Sequence, residues 1–456
     1  MARYLTFDLG TTLYKVALFD DQGKLIAVER ARPPIKETAP GRMEVHTGAF
    51  LYELAEATRR LKAKNTEHWT DIAAISFATQ ANSFMLLDDE GFGTTFILWP
   101  DDRASTLSTE VAAIGSFPGF RASTGMPRVS PQLALSKLHW MRREEPTAIE
   151  HATKLLFISD FLTMEFNYPN AVTEAGVASL SGALDIRTLQ WRDDLLEAFS
   201  VPPIRMPTVM RAGSALGLVE FAAANAFELP DGCQFVVGCL DQYAGAIGTG
   251  TITPGAICET TGTVLAAVRC ADRLNDNPAP SVFQGPAWDE KHFWQMSFSS
   301  NSANLLEWYR NSLPDKPAYE ELSRLAGEAL DSDLVIEPFE AGVPIENCFR
   351  HARPEHTRGQ VVRAIMHRVA ESLASQVNDL SGGEMPSEIR SAGGAARSDV
   401  WLQIKANRLK TKFVAMECEE PTSLGAAMLA HHGVTGESLE SIAKTWVRVR
   451  DSFEPK

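Results

Sequence analysis

Within the stretch Tyr4 to Phe19, YLTFDLGTTLYKVALF, five residues have types suited to gripping a phosphate: Asp8, Gly10, Thr11, Thr12 and Lys15. Gly10 can take backbone angles closed to other residues. A tight turn there aims successive backbone N–H groups at one spot, and the threonine hydroxyls add donors. Lys15 brings positive charge. Asp8, at the end of the first apolar run, can hold a divalent cation directly or through water, as magnesium sites with one or two carboxylates do. A plain hairpin with a glycine turn explains the same residues without any ligand.

Other groups along the chain bear on that choice. Gln80 and Asn82 directly follow the strand-like run Ile72–Ala78, where α/β proteins place ligand-binding groups. In LWPDDRA, Trp99 offers an apolar wall, and Asp101 and Arg103 offer polar anchors of both signs. This mix suits a polyhydroxylated ligand, or an ion-paired surface turn. GCLDQYAGAIGTG places Asp241 at the start of a small-residue helix, either as a carboxylate that the helix dipole keeps ionised or as a simple N-cap. Gly255–Thr260 and Thr263–Val268 flank Gly262 and repeat the order strand, Gly-Thr turn, strand. In EIRSAGGAARSD, Gly393 and Gly394 allow backbone to approach a ligand, and Ser398 or Asp399 caps the next helix.

The elements that must position these groups follow from the hydrophobic pattern. Tyr4–Phe7, Tyr14–Phe19 and Lys24–Arg30 form an antiparallel meander. Thr47–Lys64 sets Phe50, Leu54, Ala57 and Leu61 on one helical face, and Ile72–Ala78 returns as a strand. Leu133–Arg143 and Gln360 to about Leu380 are helical. A meander followed by alternating helices and strands predicts an α/β layer with a mixed sheet. At 456 residues the chain is long for one core, so two domains are expected, with the boundary at the Pro230–Gly232 turn: residues 1–233 and 234–456. Two like hairpins facing one another across a cleft would clamp a polyphosphate from both sides, as in the actin-like architecture.

Composition narrows the partners. With 45% hydrophobic and 22% charged residues the chain is of ordinary globular type. A net charge of −15 argues against a nucleic-acid or anionic-membrane surface, both of which need a dense basic footprint. The six cysteines show no CxxC pair and no matching histidine spacing, so reduced, mostly buried thiols are expected. The N-terminal MARYLTFDLG is too short and polar for a signal peptide, and no apolar run reaches membrane-spanning length, so a cytoplasmic location is expected.

Taken together, the segments resemble the FGGY family of carbohydrate kinases over nearly the whole chain. FDLGTT with Lys15 resembles the family's first phosphate loop, LWPDDRA its W-x-D-x-R segment and TEAGVASLSGALDIRT its central N-terminal-domain motif. GCLDQYAGAIGTG resembles the segment with the catalytic aspartate and ETTGT the second phosphate loop. EHTRGQVVRAI, AGGAARSDVWLQIKAN and SLGAAMLA complete the set in family order. The resemblance implies two actin-like, ribonuclease H-like α/β domains with an interdomain cleft. ATP and Mg2+ would be held by Gly10, Thr11, Thr12, Lys15, Gly262, Thr263, Gly394, Ala395 and Ser398, with Asp8 toward the metal. The sugar or polyol would meet Gln80, Asn82, Trp99, Asp101, Arg103 and Gln242, and Asp241 would be the general base. A homodimer stays open.

Three positions depart from the family pattern: Asn82 on the sugar side, Ala303 near WYR in place of a glycine, and His367 in place of a glutamate. The pattern is nearest to the pentulose kinases, which makes a ketopentose such as xylulose the first expectation, with glycerol, erythritol or a hexulose behind. A nucleotide-switched scaffold of the same fold is the rival class. It lacks any need for a carboxylate base beside polar sugar-side groups. A dehydrogenase is disfavoured because GAIGTG lacks the GxGxxG order.

Overall fold

The first strand, Arg3–Leu9, is buried along its whole length. It runs through the middle of a sheet covered on both faces, and its side chains alternate between them. Tyr4 joins one core with Ala17 and Phe19, while Leu5, Phe7 and Leu9 join the other with Val16 and Leu18. The computed structural model describes residues 1–91, 93–167, 169, 171–330, 332–340 and 343–456.

Among the described residues the first sheet has seven strands. Its order is Ala215–Leu218, Gln234–Val236, Ile72–Thr79, Arg3–Leu9, Tyr14–Asp20 and Leu25–Ala31, with Cys239–Leu240 also paired to Ile72–Thr79. The meander is antiparallel as expected, and Ile72–Thr79 and Gln234–Val236 add to it in parallel. The second sheet repeats this plan. Ile257–Thr261, Leu265–Ala271 and Phe293–Ser299 form its meander, Glu388–Ala392 and Lys412–Met416 add in parallel, and Val449–Phe453 closes one edge in antiparallel. The two hairpins that share the Gly-Thr turn therefore occupy the same place in two copies of one mixed α/β topology, as the resemblance implies.

The expected boundary at residue 233 falls inside the first sheet, because Gln234–Val236 and Cys239–Leu240 still pair with Ile72–Thr79. Pro230–Gly232 is a turn between two neighbouring strands of that sheet, and the chain changes sheets only after the helix Asp241–Gly248.

That helix and Pro421–Thr435 lie between the halves. Pro421–Thr435 packs on Arg3–Leu9 and Ile72–Thr79 of the first sheet, while Asp241–Gly248 reaches Ile257–Thr261 and Leu265–Ala271 of the second. Their small residues permit contact at backbone distance: a Cβ on Gly425 would stand 1.9 Å from the Ala244 carbonyl oxygen, and one on Gly248 1.8 Å from that of Pro421. Thr47–Lys64 buries Phe50, Leu54, Ala57 and Leu61 as its periodicity predicts. The long helix Arg358–Ser381 opens with a reciprocal capping box between Thr357 and Gln360. Five cysteines are buried and Cys418 is half-buried. No helix among the described residues is long and apolar enough to cross a membrane.

Candidate active site

The strands Arg3–Leu9, Ile72–Thr79 and Cys239–Leu240 end side by side, so Gly10, Gln80 and Asp241 emerge at one edge of the first sheet. Among the described residues the backbone N–H groups of Thr11 and Thr12 make no hydrogen bond, which leaves them available to an anion. The Thr11 hydroxyl is committed elsewhere. It donates to Gln80 Oε1 at 2.9 Å and accepts from Trp99 Nε1 at 2.7 Å, so it ties the turn to the wall expected to meet the sugar.

Asp241 is the first residue of its helix, and its carboxylate accepts the N–H of Gln242 at 2.7 Å. The helix dipole predicts an ionised group, yet the carboxyl is pushed up to about 7. Burial is the largest cause and the nearby charge of Asp8 the next, and together they outweigh the helix terminus. Asp8 is itself raised, chiefly by burial, against the pull of Lys15. Lys15 Nζ lies 3.0 Å from Asp8 and 2.8 Å from Glu420. Burial acts against its charge, but the two carboxylates prevail and keep it protonated. Glu420, which also pairs with Arg30, thus links the second half of the chain to Asp8. Lys15 orients Asp8 in this structure. Repulsion from Asp8 is one cause of the Asp241 rise, and a divalent cation would relieve it, so the residues fit Mg2+ at Asp8, with Asp241 nearby.

Asp101 and Arg103 form a buried ion pair, Nε to Oδ1 at 2.8 Å and Nη2 to Oδ2 at 2.9 Å. Asp101 also accepts the Met43 N–H at 2.9 Å, and Arg103 reaches Glu44 at 2.7 Å. With Asp101 fully buried, its carboxylate is spent on the protein, as are the Nε and Nη2 groups of Arg103, and the pair braces the loop that carries Trp99. Asn82 is similar. It holds φ at 59°, a left-handed position that asparagine tolerates, and its amide donates to Leu180 O and accepts from Ala134 N, both at 3.0 Å. It pins a turn to two other segments. Of the other residues expected on the sugar side, Trp99 is 38% exposed and Gln242 half-buried, as is Asp241, while Gln80 is buried.

In the second half of the chain a cavity of about 530 Å3 is lined by Gly262, Thr263, Gly394, Ala395 and Ser398, all five of them expected nucleotide-side residues. A Cβ added at Gly262 or Gly394 meets nothing within 4 Å, so both glycines leave their space to the cavity. Ser398 caps the helix Asp399–Leu409 by accepting the Trp401 N–H at 3.2 Å. Ala303 also lines the cavity, whereas His367 lines a separate surface groove with Leu334 and Ile336, and it is Met366 that reaches the nucleotide side.

Three supporting residues are not singled out by the motifs, although TEAGVASLSGALDIRT contains Glu174 and AGGAARSDVWLQIKAN contains Lys405. Glu174 accepts the N–H groups of Gly176, Val177 and Leu240, which anchors the strand that delivers Asp241. Burial lifts its carboxyl to about 7. Lys137 is fully buried and donates to the carbonyls of Leu98 and Trp99 at 2.6 and 3.0 Å. Lys405 is fully buried against Glu259 at 2.7 Å. A signal for both lysines exists, since each falls in the apolar stripe of its helix, Leu133–Lys137–Met141 and Trp401–Lys405–Leu409.

Comparison with known proteins shows the family and the fold. The N-terminal domain of the FGGY family of carbohydrate kinases matches residues 3–248, and the C-terminal domain matches residues 256–434. A xylulose kinase of Bacillus subtilis strain 168 is 25% identical over 479 residues, spanning all of this chain and 93% of that protein. A glycerol kinase of Janthinobacterium sp. strain Marseille is also 25% identical, over 99% of this chain and 94% of its own. The crystal structure of a ligand-bound xylulose kinase from Lactobacillus acidophilus superposes with a TM-score of 0.89 at 22% identity, covering 100% of this chain and 94% of that one.

Proposed function

Because the chain belongs to the FGGY family of carbohydrate kinases, we propose that it transfers the γ-phosphoryl group of ATP to a hydroxyl of a small neutral sugar or polyol, with a ketopentose such as xylulose foremost. The observation that carries this reading is the position of Asp241. A carboxyl with its pKa raised to about 7 stands at the same end of the first sheet as the unpartnered N–H groups of Thr11 and Thr12, on a helix that packs against the two strands flanking Gly262, whose turn lines the cavity of about 530 Å3.

Asp241 accepts the proton of the attacking hydroxyl as the bond to phosphorus forms, and a pKa near neutrality suits that task. The N–H groups at Thr11 and Thr12 and the hairpin at Gly262–Thr263 meet the charge on the phosphoryl oxygens. Asp8, oriented by Lys15, would hold Mg2+, which neutralises phosphate charge when bound. Gln80, held by Thr11, and Gln242 offer amides to sugar hydroxyls, and Trp99 supplies an apolar wall. The basic groups behind this wall, Arg103 and Lys137, bind Asp101, Glu44 and backbone carbonyls, and burial lowers the Lys137 pKa to about 7. That favours a neutral substrate over a sugar acid. Glycerol, erythritol and hexuloses are the next choices. The presence of a base and sugar-side amides weighs against a scaffold that only switches with nucleotide.

The test is ATP consumption over a panel of pentuloses, hexuloses, polyols and aldonates. ADP release that depends on a neutral sugar is expected, and turnover restricted to aldonates would overturn the substrate class.

A further inference from the structure

We propose that the buried cluster of Glu259, Thr261, Ser391 and Lys405 is a positioning device for nucleotide, holding the two cavity-lining loops of the second half in register. The proposal rests on the kinase reading and adds residues to it.

Glu259 and Ser391 are direct partners on the parallel strands Ile257–Thr261 and Glu388–Ala392, and Thr261 lies two residues on from Glu259, on the same face. The helix Asp399–Leu409 brings Lys405 onto that face. Lys405 Nζ donates to Glu259 Oε1 at 2.7 Å and to Thr261 Oγ1 at 2.8 Å. Thr261 in turn donates to Glu259 Oε2 at 2.6 Å, and the Ser391 hydroxyl donates to Glu259 Oε1. Lys405 and Glu259 are both 0% exposed, and the ammonium also lies 5.6 Å from the centre of the Trp401 ring.

The cluster adjoins the cavity wall at three places. Thr261 lines it and leads directly into Gly262 and Thr263, Ser391 stands two residues before the Gly393–Gly394 turn, and Trp401 lines it from the helix. The carbonyl of Gly262 is held separately by the Ser302 hydroxyl at 2.7 Å and the Ala303 N–H at 3.1 Å, so the turn is fixed from both ends. A buried ion pair is a poor source of stability, since well-packed apolar residues of like volume are often as stable. What the pair does supply is direction: two charge-assisted hydrogen bonds set the Thr261 side chain, and with it the entry into the Gly-Thr turn. The cluster therefore acts through Thr261 and the loops, without touching nucleotide.

The test compares Thr261→Val, Thr261→Ser and the double variant Glu259→Leu/Lys405→Met, which removes both charges together, with the parent. Nucleotide dissociation constants come from calorimetry with Mg-ADP, and KM and kcat from the ATP-dependent assay, alongside melting temperature. Thr261→Val and the double variant are expected to weaken nucleotide binding and raise KM for ATP by ~10-fold, with the KM for sugar unchanged. The melting temperature of the double variant should be at or above the parent's, and Thr261→Ser should restore parental binding. Parental nucleotide affinity in Thr261→Val, or equal loss in Thr261→Val and Thr261→Ser, would overturn the proposal even if the double variant fails to fold. A parent protein that binds no nucleotide would instead overturn the kinase reading itself.

Discussion

Replacing Asp241 by asparagine should make the protein more stable at pH 8 and leave its stability at pH 4 nearly unchanged. The asparagine carbonyl can still accept the Gln242 N–H, so the substitution removes the titration and keeps the local hydrogen bond. In the folded chain the Asp241 carboxyl titrates at about 7, against 3.8 in the absence of structure. Below 3.8 both states hold the proton. Between the two values the unfolded chain releases it while the folded chain retains it, so the stability present at low pH is lost as pH rises toward 7, at about 1.4 kcal/mol per unit. The ceiling is about 4 kcal/mol. Water at the cleft face of the carboxylate lowers that, and a gain of about 2 kcal/mol for the variant at pH 8 is the expected outcome. The assay is urea unfolding of parent and variant at pH 4, 5, 6, 7 and 8. The parent itself should lose stability across this range, because Asp160 and Glu174 are raised to about 7 by the same burial. A variant whose curve runs parallel to the parent's, or below it at pH 8, would refute the view that the fold raises the Asp241 pKa.

Gly262→Val should leave the melting temperature unchanged, since the added side chain enters open space, while calorimetry with Mg-ADP shows at least ~10-fold weaker binding from occupation of the cavity. Asn82→His should lower stability by about 1–2 kcal/mol in urea unfolding, through loss of the ties to Leu180 and Ala134 and the left-handed backbone. It should depress kcat/KM for all sugars together, and a changed preference between two sugars would show that Asn82 meets substrate directly. Gly425→Ala drives a methyl group into the Ala244 carbonyl, so the helix carrying Asp241 must shift. Turnover should fall more than nucleotide affinity does.

The hairpins around Gly10 and Gly262 were legible because their signal is local: apolar runs, a glycine, and hydroxyls adjoining it. The helix Thr47–Lys64 was legible for a like reason, since its buried face is written in spacing alone. Partners far apart in sequence were harder. Asp101 and Arg103 look like sugar anchors until Met43 and Glu44 arrive from another strand and occupy the Asp101 carboxylate and the Arg103 Nη2. Asn82 could not be separated from a substrate contact without knowing that Leu180 and Ala134 close around it. The turn Pro230–Gly232 has the composition of a linker, and only pairing with Ile72–Thr79 shows that the first sheet continues beyond it. The ionisation of Asp241 was misjudged because the helix start is visible in sequence while burial beside Asp8 is not.

The central claim is that Asp241 activates a sugar hydroxyl toward ATP. The most direct measurement is sugar-dependent ADP release by the parent and by Asp241→Asn, with Mg-ADP affinity measured on both. The parent should turn over a neutral sugar or polyol, and the variant should lose ~10²-fold or more in kcat while binding nucleotide as the parent does. Near-parental turnover by Asp241→Asn would contradict the account.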